Sequence, residues 1–215
     1  MPQKPDPRFL AITAHDLRGA VGVLEGALKE LTRDLPNDNP DAAKLTQMMG
    51  RSSQRLLLLG DRLSSLAKLM DGSELELSDA VDLTGLVKEA ANRAFAAHAR
   101  RSLRLRVEGA EVTAALHAQT FAATVSELTA LFCSFSQNEL LISVSSTADA
   151  LRIEFESDNT SDSVQRALRD RASTTQANAG IAFAEAVLAR HQGSLELPEQ
   201  AGAKAALTLL LPRFR

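Results

Sequence analysis

Apolar residues recur along the opening part of the chain with the rhythm of a heptad. Leu10, Ala14, Leu17, Val21, Leu24, Leu28, Leu31 and Leu35 follow one another at alternating intervals of four and three, which keeps one stripe of a helix apolar. Pro36-Asn-Asp-Asn-Pro40 then interrupts with turn-forming residues. A second series runs through Leu45, Met49, Ser52, Leu56, Leu59, Leu63, Leu66 and Met70 at the same intervals, with Ser52 its one polar member. Asp71-Gly72-Ser73 closes it, and Gly72 suits a helix C-terminus. Two seams joined by a short turn predict an antiparallel helical hairpin. Leu57 and Leu58 widen the apolar surface of the second helix beyond what one hairpin can bury. Two copies are therefore expected to pair into a four-helix bundle, making the protein a homodimer.

From about Val81 the pattern changes. Asp82 to Phe95 reads as an amphipathic helix with Asp82 as its N-cap. Leu103 to Val107 alternates as a strand, and Glu111 to Leu116 predicts another. Gln119 to Phe135 is helical; Leu140 to Ser145 and Leu151 to Glu156 form a strand hairpin; Ala179 to Arg190 is a helix. Ser194 to Leu197 and Ala205 to Leu211 finish as strands. Mixed strands with helices on one face predict an α+β sandwich. The chain thus reads as an α hairpin over residues 1–76 followed by an α/β sandwich domain over 77–215.

Composition narrows the function. Hydrophobic residues make up 45% and charged residues 24% of 215, a globular balance. The formal net charge of −3 argues against a nucleic-acid partner held through phosphate contacts. The basic cluster at Arg100, Arg101, Arg104 and Arg106 alternates with apolar residues and reads as a solvated strand face. The single cysteine, Cys133, sits in an apolar stretch and is expected to be a buried small hydrophobe. No stretch reaches the roughly 18 apolar residues of a membrane span. Met-Pro-Gln-Lys-Pro-Asp-Pro at the N-terminus has no apolar signal core, so a cytoplasmic protein without membrane insertion is expected.

One histidine stands on the wrong face for a core. At about 100° per residue, His15 falls roughly opposite the Leu10/Ala14/Leu17 seam. Asp16 follows it, and a carboxylate beside an imidazole can fix a tautomer or take a proton. Gly19, Gly22 and Gly26 lie on His15's own face. Each interior helical glycine costs about 1 kcal/mol against alanine, so three on one stripe call for a compensating role. A face without side chains would let another protein's backbone approach the imidazole; close packing within the molecule is the other explanation. No metal set accompanies His15, because His98, His117 and His191 are scattered along the chain.

Phe9-Leu-Ala-Ile-Thr-Ala-His-Asp-Leu-Arg-Gly-Ala-Val-Gly22 resembles the phosphoacceptor box of two-component sensor histidine kinases, with Ala20 at the usual proline. The resemblance implies that His15 is the phosphorylated residue and Asp16 its acid/base neighbour. It also implies a partner-binding surface of Arg18, Gly19, Gly22 and Gly26 for response-regulator receiver domains. Gly19 replaces the Thr or Asn that in the family supports phosphatase activity. The second part resembles the ATPase-like domain of the same kinases, in Val81-Asp-Leu-Thr-Gly-Leu-Val-Lys-Glu-Ala90, in His191-Gln-Gly193 beside a usual His-Gly-Gly, and in Leu207-Thr-Leu-Leu-Leu-Pro212. Its nucleotide boxes depart from the pattern. Glu127 fits one position, but Leu131 stands where an asparagine would hold Mg²⁺, and leucine offers no oxygen. Asp158 is the candidate adenine-reading residue, without the glycines that usually follow. Gly180 alone remains of a glycine-rich phosphate turn.

Glu127, Asp158 and Gly180 therefore read as a vestigial nucleotide site, since phosphoryl transfer from ATP depends on Mg²⁺ and positioning. The expected function is that of a histidine phosphotransferase in a phosphorelay, resembling kinases that have lost ATP use. It needs no cofactor of its own, because the receiver domain supplies Asp and Mg²⁺. No sensor segment precedes residue 9, which fits a carrier and equally a piece of a longer kinase. The alternatives are a divergent but active histidine kinase, a pseudokinase scaffold that binds without phosphorylation, and an anti-sigma-type binding protein.

Overall fold

A computed structural model describes residues 7–34, 40–71, 76–98, 102–159, 168, 176–197 and 206–213. The chain divides into two compact units, Met1–Ser73 and Glu74–Arg215.

The first unit is a pair of packed helices, α1 (Pro7–Asp34) and α2 (Pro40–Asp71). The turn expected at residues 36–39 and the stop at Gly72 lie outside the described residues. The face that α2 buries is not its leucine row. Ser53, Gly60, Ser64 and Ala67 are buried, a row of small residues displaced by one position from Ser52, Leu59, Leu63 and Leu66. Ser65 and Leu58 are buried beside it, with Leu56, Leu57, Leu63 and Leu66 half-buried, so the hairpin itself covers part of the surface expected to need a second copy. Ala14 and Val21 are buried on α1 among the described residues. Leu24, Leu45, Met49 and Leu59, all members of the expected seams, are 43–59% exposed. The physical reason is distance: leucines between two helices hold the axes apart, whereas glycine, serine and alanine let the backbones approach. A Cβ built on Gly60 would stand 3.1 Å from Arg18 Cγ and 3.4 Å from the Ala14 carbonyl oxygen.

The second unit runs β1 (Ser78–Asp82), α3 (Leu83–His98), β2 (Arg104–Gly109), β3 (Thr113–Leu116), α4 (Ala118–Phe135), β4 (Glu139–Ser146), β5 (Ala150–Ser157), α5 (Gln176–Arg190), β6 (Ser194–Glu196) and β7 (Ala206–Pro212). Its main sheet has the order β2-β4-β5-β7-β6, with β2 parallel to β4 and the other pairs antiparallel. β1, which the alternation did not reveal, pairs with β3 in a separate two-stranded sheet. Leu140, Ile142, Leu151, Ile153, Phe155, Leu207 and Leu209 are buried along one face of the main sheet. They alternate with half-exposed Arg152, Glu154 and Glu156, the signature of a sheet covered on one side. Helix residues complete the core, Phe132 meeting Phe155 at a ring distance of 5.7 Å. Arg104 and Arg106 are exposed on β2, and Cys133 is buried with its thiol pushed up to about 12 by burial. Asp82 caps α3 by accepting the Gly85 N–H at 2.9 Å.

Both closely packed and idle glycines give measurable outcomes. Gly60→Leu is expected to destabilise the hairpin by about 1–3 kcal/mol through overpacking. Gly50→Ala, whose Cβ would meet nothing within 4 Å, is expected to stabilise it by about 0.5–1 kcal/mol. Urea denaturation of each variant checks the sign. At the end of α5, Gln192 has φ +54°, a conformation that favours glycine. Gln192→Gly is therefore expected to raise stability by about 0.5–1 kcal/mol, read in the same way.

Candidate phosphoacceptor site and ATPase-like face

His15 lies in the N-terminal half of α1 with its side chain exposed. Gly19, Gly22 and Gly26 are exposed on the same face, and a Cβ added to any of them would meet nothing within 4 Å. Packing within the described chain therefore does not account for these glycines, in contrast to Gly60. The side chain of Asp16 lies outside the described residues. Arg18 is placed differently from a free partner contact. Its stem crosses Gly60, and its guanidinium reaches Asp61 at 3.4 Å, with side-chain exposures of 34% and 23%. Asp61 in turn is held in a stretch of helix where Ser65, fully buried, donates its hydroxyl to the Asp61 carbonyl at 2.9 Å. Gly60 and Asp61 were missed by sequence reasoning. The available signal was a glycine-aspartate pair inside an otherwise leucine-rich helix.

In the second unit, α4 carries Glu127 and, one turn further on the same face, Leu131. Gly180, buried in α5, comes close to Glu127: a Cβ there would stand 3.9 Å from the Glu127 carboxylate oxygen. Asp158 does not join them. It sits past the end of β5, and its carboxylate accepts the backbone N–H groups of Gln137 and Asn138, each at 2.8 Å, and the Asn138 side-chain amide at 3.0 Å. Asn159 reinforces this by donating to the Phe135 carbonyl at 2.9 Å. Partial burial pushes the Asp158 pKa up, but the amides of Gln137, Asn138 and Glu139 outweigh it and hold the carboxyl below its ordinary value. The residue thus fastens the α4–β4 connection, roughly 12 Å along the helix from Glu127 at 1.5 Å per residue.

Two of the histidines that are scattered in sequence meet in the fold. His117 caps α4, its Nδ1 accepting the Thr120 N–H at 3.2 Å. Its own N–H donates to His191 Nε2 at 3.0 Å, while His191 Nδ1 lies 2.8 Å from the Val187 carbonyl. An acceptor Nε2 and a donor Nδ1 define a neutral imidazole, here packed edge-on against Phe121 at 6.0 Å. Burial pushes the His191 pKa down, partly opposed by the Val187 bond. The pair ties the start of α4 to the end of α5. No group of three or more potential metal ligands occurs among the described residues. A cleft of about 410 Å³, bordered by Glu111, Thr113, Ser146, Leu151 and Arg213, opens at the far end of β5 from Asp158 and includes none of the predicted site residues.

A buried neutral histidine makes stability depend on pH with a definite sign. Above the ordinary value of 6.5, folded and unfolded forms are both neutral at this residue. As pH falls below it, the unfolded chain takes up a proton that the fold resists, so the second unit loses stability. His191→Gln is expected to flatten that loss between about pH 7.5 and 5.5, checked by urea midpoints at both pH values.

No protein-family model and no curated protein matches the sequence. In structure the chain is similar to the histidine kinase AdeS of Acinetobacter baumannii, with a TM-score of 0.55 and 14% identity over 92% of this chain and 97% of that one. The histidine kinase domain of the blue-light activated kinase EL346 of Erythrobacter litoralis gives a TM-score of 0.54 and 14% identity, over 90% and 94%. Full-length ShkA, in a structure with AMPPNP, gives 0.58 and 17%, over 97% of this chain but 46% of that one. No helix among the described residues is long and apolar enough to cross a membrane. The chain has the fold of these histidine kinase cores, a helical hairpin followed by an α/β unit.

Proposed function

We propose that this chain is a histidine phosphotransferase of two-component signalling, taking a phosphoryl group from one receiver-domain aspartate onto His15 and passing it to another without ATP. The observation that carries this reading is the exposed imidazole on a glycine face with open space beside it. A receiver's backbone can approach such a face closely. In the proposed step, a nitrogen lone pair of His15 forms the N–P bond as the P–O bond to the aspartyl carboxylate breaks. The receiver supplies its own Mg²⁺, and Asp16 assists as acid/base neighbour. Leu131 one turn from Glu127, together with an Asp158 engaged by backbone amides, supports the reading of Glu127, Asp158 and Gly180 as a vestigial nucleotide site.

The exposed row of Leu24, Leu45, Met49 and Leu59 supports a homodimer. Pairing through this row would bury it in a four-helix bundle and leave His15, on the far side of α1, open to partners. A cytoplasmic location follows from receiver partners. The second reading is an active kinase with a divergent site, favoured by kinase neighbours in structure and by the approach of Gly180 to Glu127.

Purified protein is to be mixed with receiver domains phosphorylated by acetyl phosphate, and acid-labile label is followed. Label is expected on His15 and is lost in His15→Gln; label retained in that variant overturns the site. Gly22→Leu and Gly26→Leu are expected to slow transfer roughly tenfold, equivalent to about 1.4 kcal/mol of docking. Unchanged rates in both would assign the stripe no part in docking.

A further inference from the structure

We propose that the cleft bordered by Glu111, Thr113, Ser146, Leu151 and Arg213 docks an extended peptide segment of a partner protein, which adds a strand to the free edge of β3. The site lies wholly within the second unit and takes no part in the chemistry of His15. Residues 110–115, the approach to β3 and its first three positions, border the cleft in unbroken succession. Side chains of a strand alternate between two faces, so such a run meets the cleft along its edge. β1 occupies one edge of β3, and no strand among the described residues occupies the other. The Leu83 N–H donates to the Val112 carbonyl at 2.9 Å, and Val81 stands opposite Ala114. In an antiparallel pair this turns the backbone groups of Val112 and Ala114 towards β1 and those of Thr113 and Ala115 towards the free edge. The N–H and carbonyl groups of these two residues have no partner among the described residues. Two positions along a strand span about 7 Å, the repeat at which an added strand pairs.

The cleft is built into the fold. Gly109 ends β2 with φ +150°, and a Cβ there would press on the Val144 carbonyl oxygen. β2 leaves its partner at this point, where Gly109 stands opposite Val144, while β4 continues to Ser146. Thr84 holds the departing chain by donating its hydroxyl to the Ala110 carbonyl at 2.7 Å. The gap has a volume of about 410 Å³, within the roughly 300–1,000 Å³ of ligand sites. Buried Leu151 and half-buried Pro212 give it apolar lining. Two exposed charges define the occupant. Glu111 has no ion pair or hydrogen bond among the described residues. Arg213 is held by main-chain groups: its guanidinium donates to the Thr147 carbonyl at 3.1 Å and its N–H to the Asp149 carbonyl at 3.2 Å. No carboxylate among the described residues pairs with it. An anion and a cation on one cleft, each without a counterion, complement a segment carrying one basic and one acidic side chain.

An array of capped pentapeptides of Val and Thr, each with one Lys and one Glu in every combination of positions, is titrated into the full ¹⁵N-labelled chain. The best members are expected to bind with Kd of about 10–100 μM. Near saturation they slow hydrogen exchange at the Thr113 and Ala115 amides by about tenfold. Glu111→Lys, a change at an exposed position whose amide spectrum reports the fold, is expected to weaken binding by about fivefold or more. A peptide with Glu in place of its Lys is expected to restore binding to that variant. Binding that leaves both amides unprotected, or that Glu111→Lys does not weaken, overturns the inference. Failure of every member to bind at about 1 mM overturns it as well. An equal response of the two amides to free valine makes the cleft a small-molecule site and overturns the peptide reading.

Discussion

The close approach of the two hairpin helices at Gly60 is the constraint on which the arrangement of the first unit depends. Helix packing has one free choice of great consequence, namely which stripe of each helix faces the other. A row of Ser53, Gly60, Ser64 and Ala67 allows a shorter separation than a row of leucines, and shorter separation brings more atoms into dispersion contact. Once that stripe is inside, the rest follows from 3.6-residue geometry. Part of the leucine row, Leu24, Leu45, Met49 and Leu59, turns out on one flank, and the His15 face with its glycines turns out on another. One packing decision thus sets an exposed apolar row apart from the exposed His15 face. It also lays Arg18 across α2 rather than into solvent.

In the second unit, polar groups near the ends of α4, β5 and α5 are engaged in holding the fold. Asp158 and Asn159 clamp the segment after α4, and the neutral His191 joins α5 to the backbone of the α4 N-cap. The bonds of His191, which is buried, are costly to leave unmade. Together these contacts give the residues a structural reason to be present that does not depend on a ligand.

Much of this was legible in the sequence where a single periodicity dominates. The two long helices, the strand pair from Leu140 to Glu156 and the closing strand from Ala205 to Leu211 announce themselves by unbroken patterns, and the exposure of His15 follows from its angle to the leucine seam. Three features were not legible, each for a stated reason. β1 is short and its residues are mostly exposed, so no alternation marks it. The inner stripe of α2 is made of small residues that carry little hydrophobic signal, and the more visible leucines next to it took its place in the reading. The meeting of His117 with His191 and of Gly180 with Glu127 joins residues far apart in the chain, which only the packing of α4 on α5 brings together.

The central claim is that the chain carries a phosphoryl group on His15 and does not draw it from ATP. It is tested most directly by incubating the full chain with radiolabelled Mg-ATP beside a second sample given a phosphorylated receiver domain, with His15→Gln as the blank in both. The account predicts acid-labile label at His15 from the receiver and none from ATP. Label at His15 from Mg-ATP would contradict it and make this chain a working kinase, with the Leu131 position bypassed by some other oxygen donor.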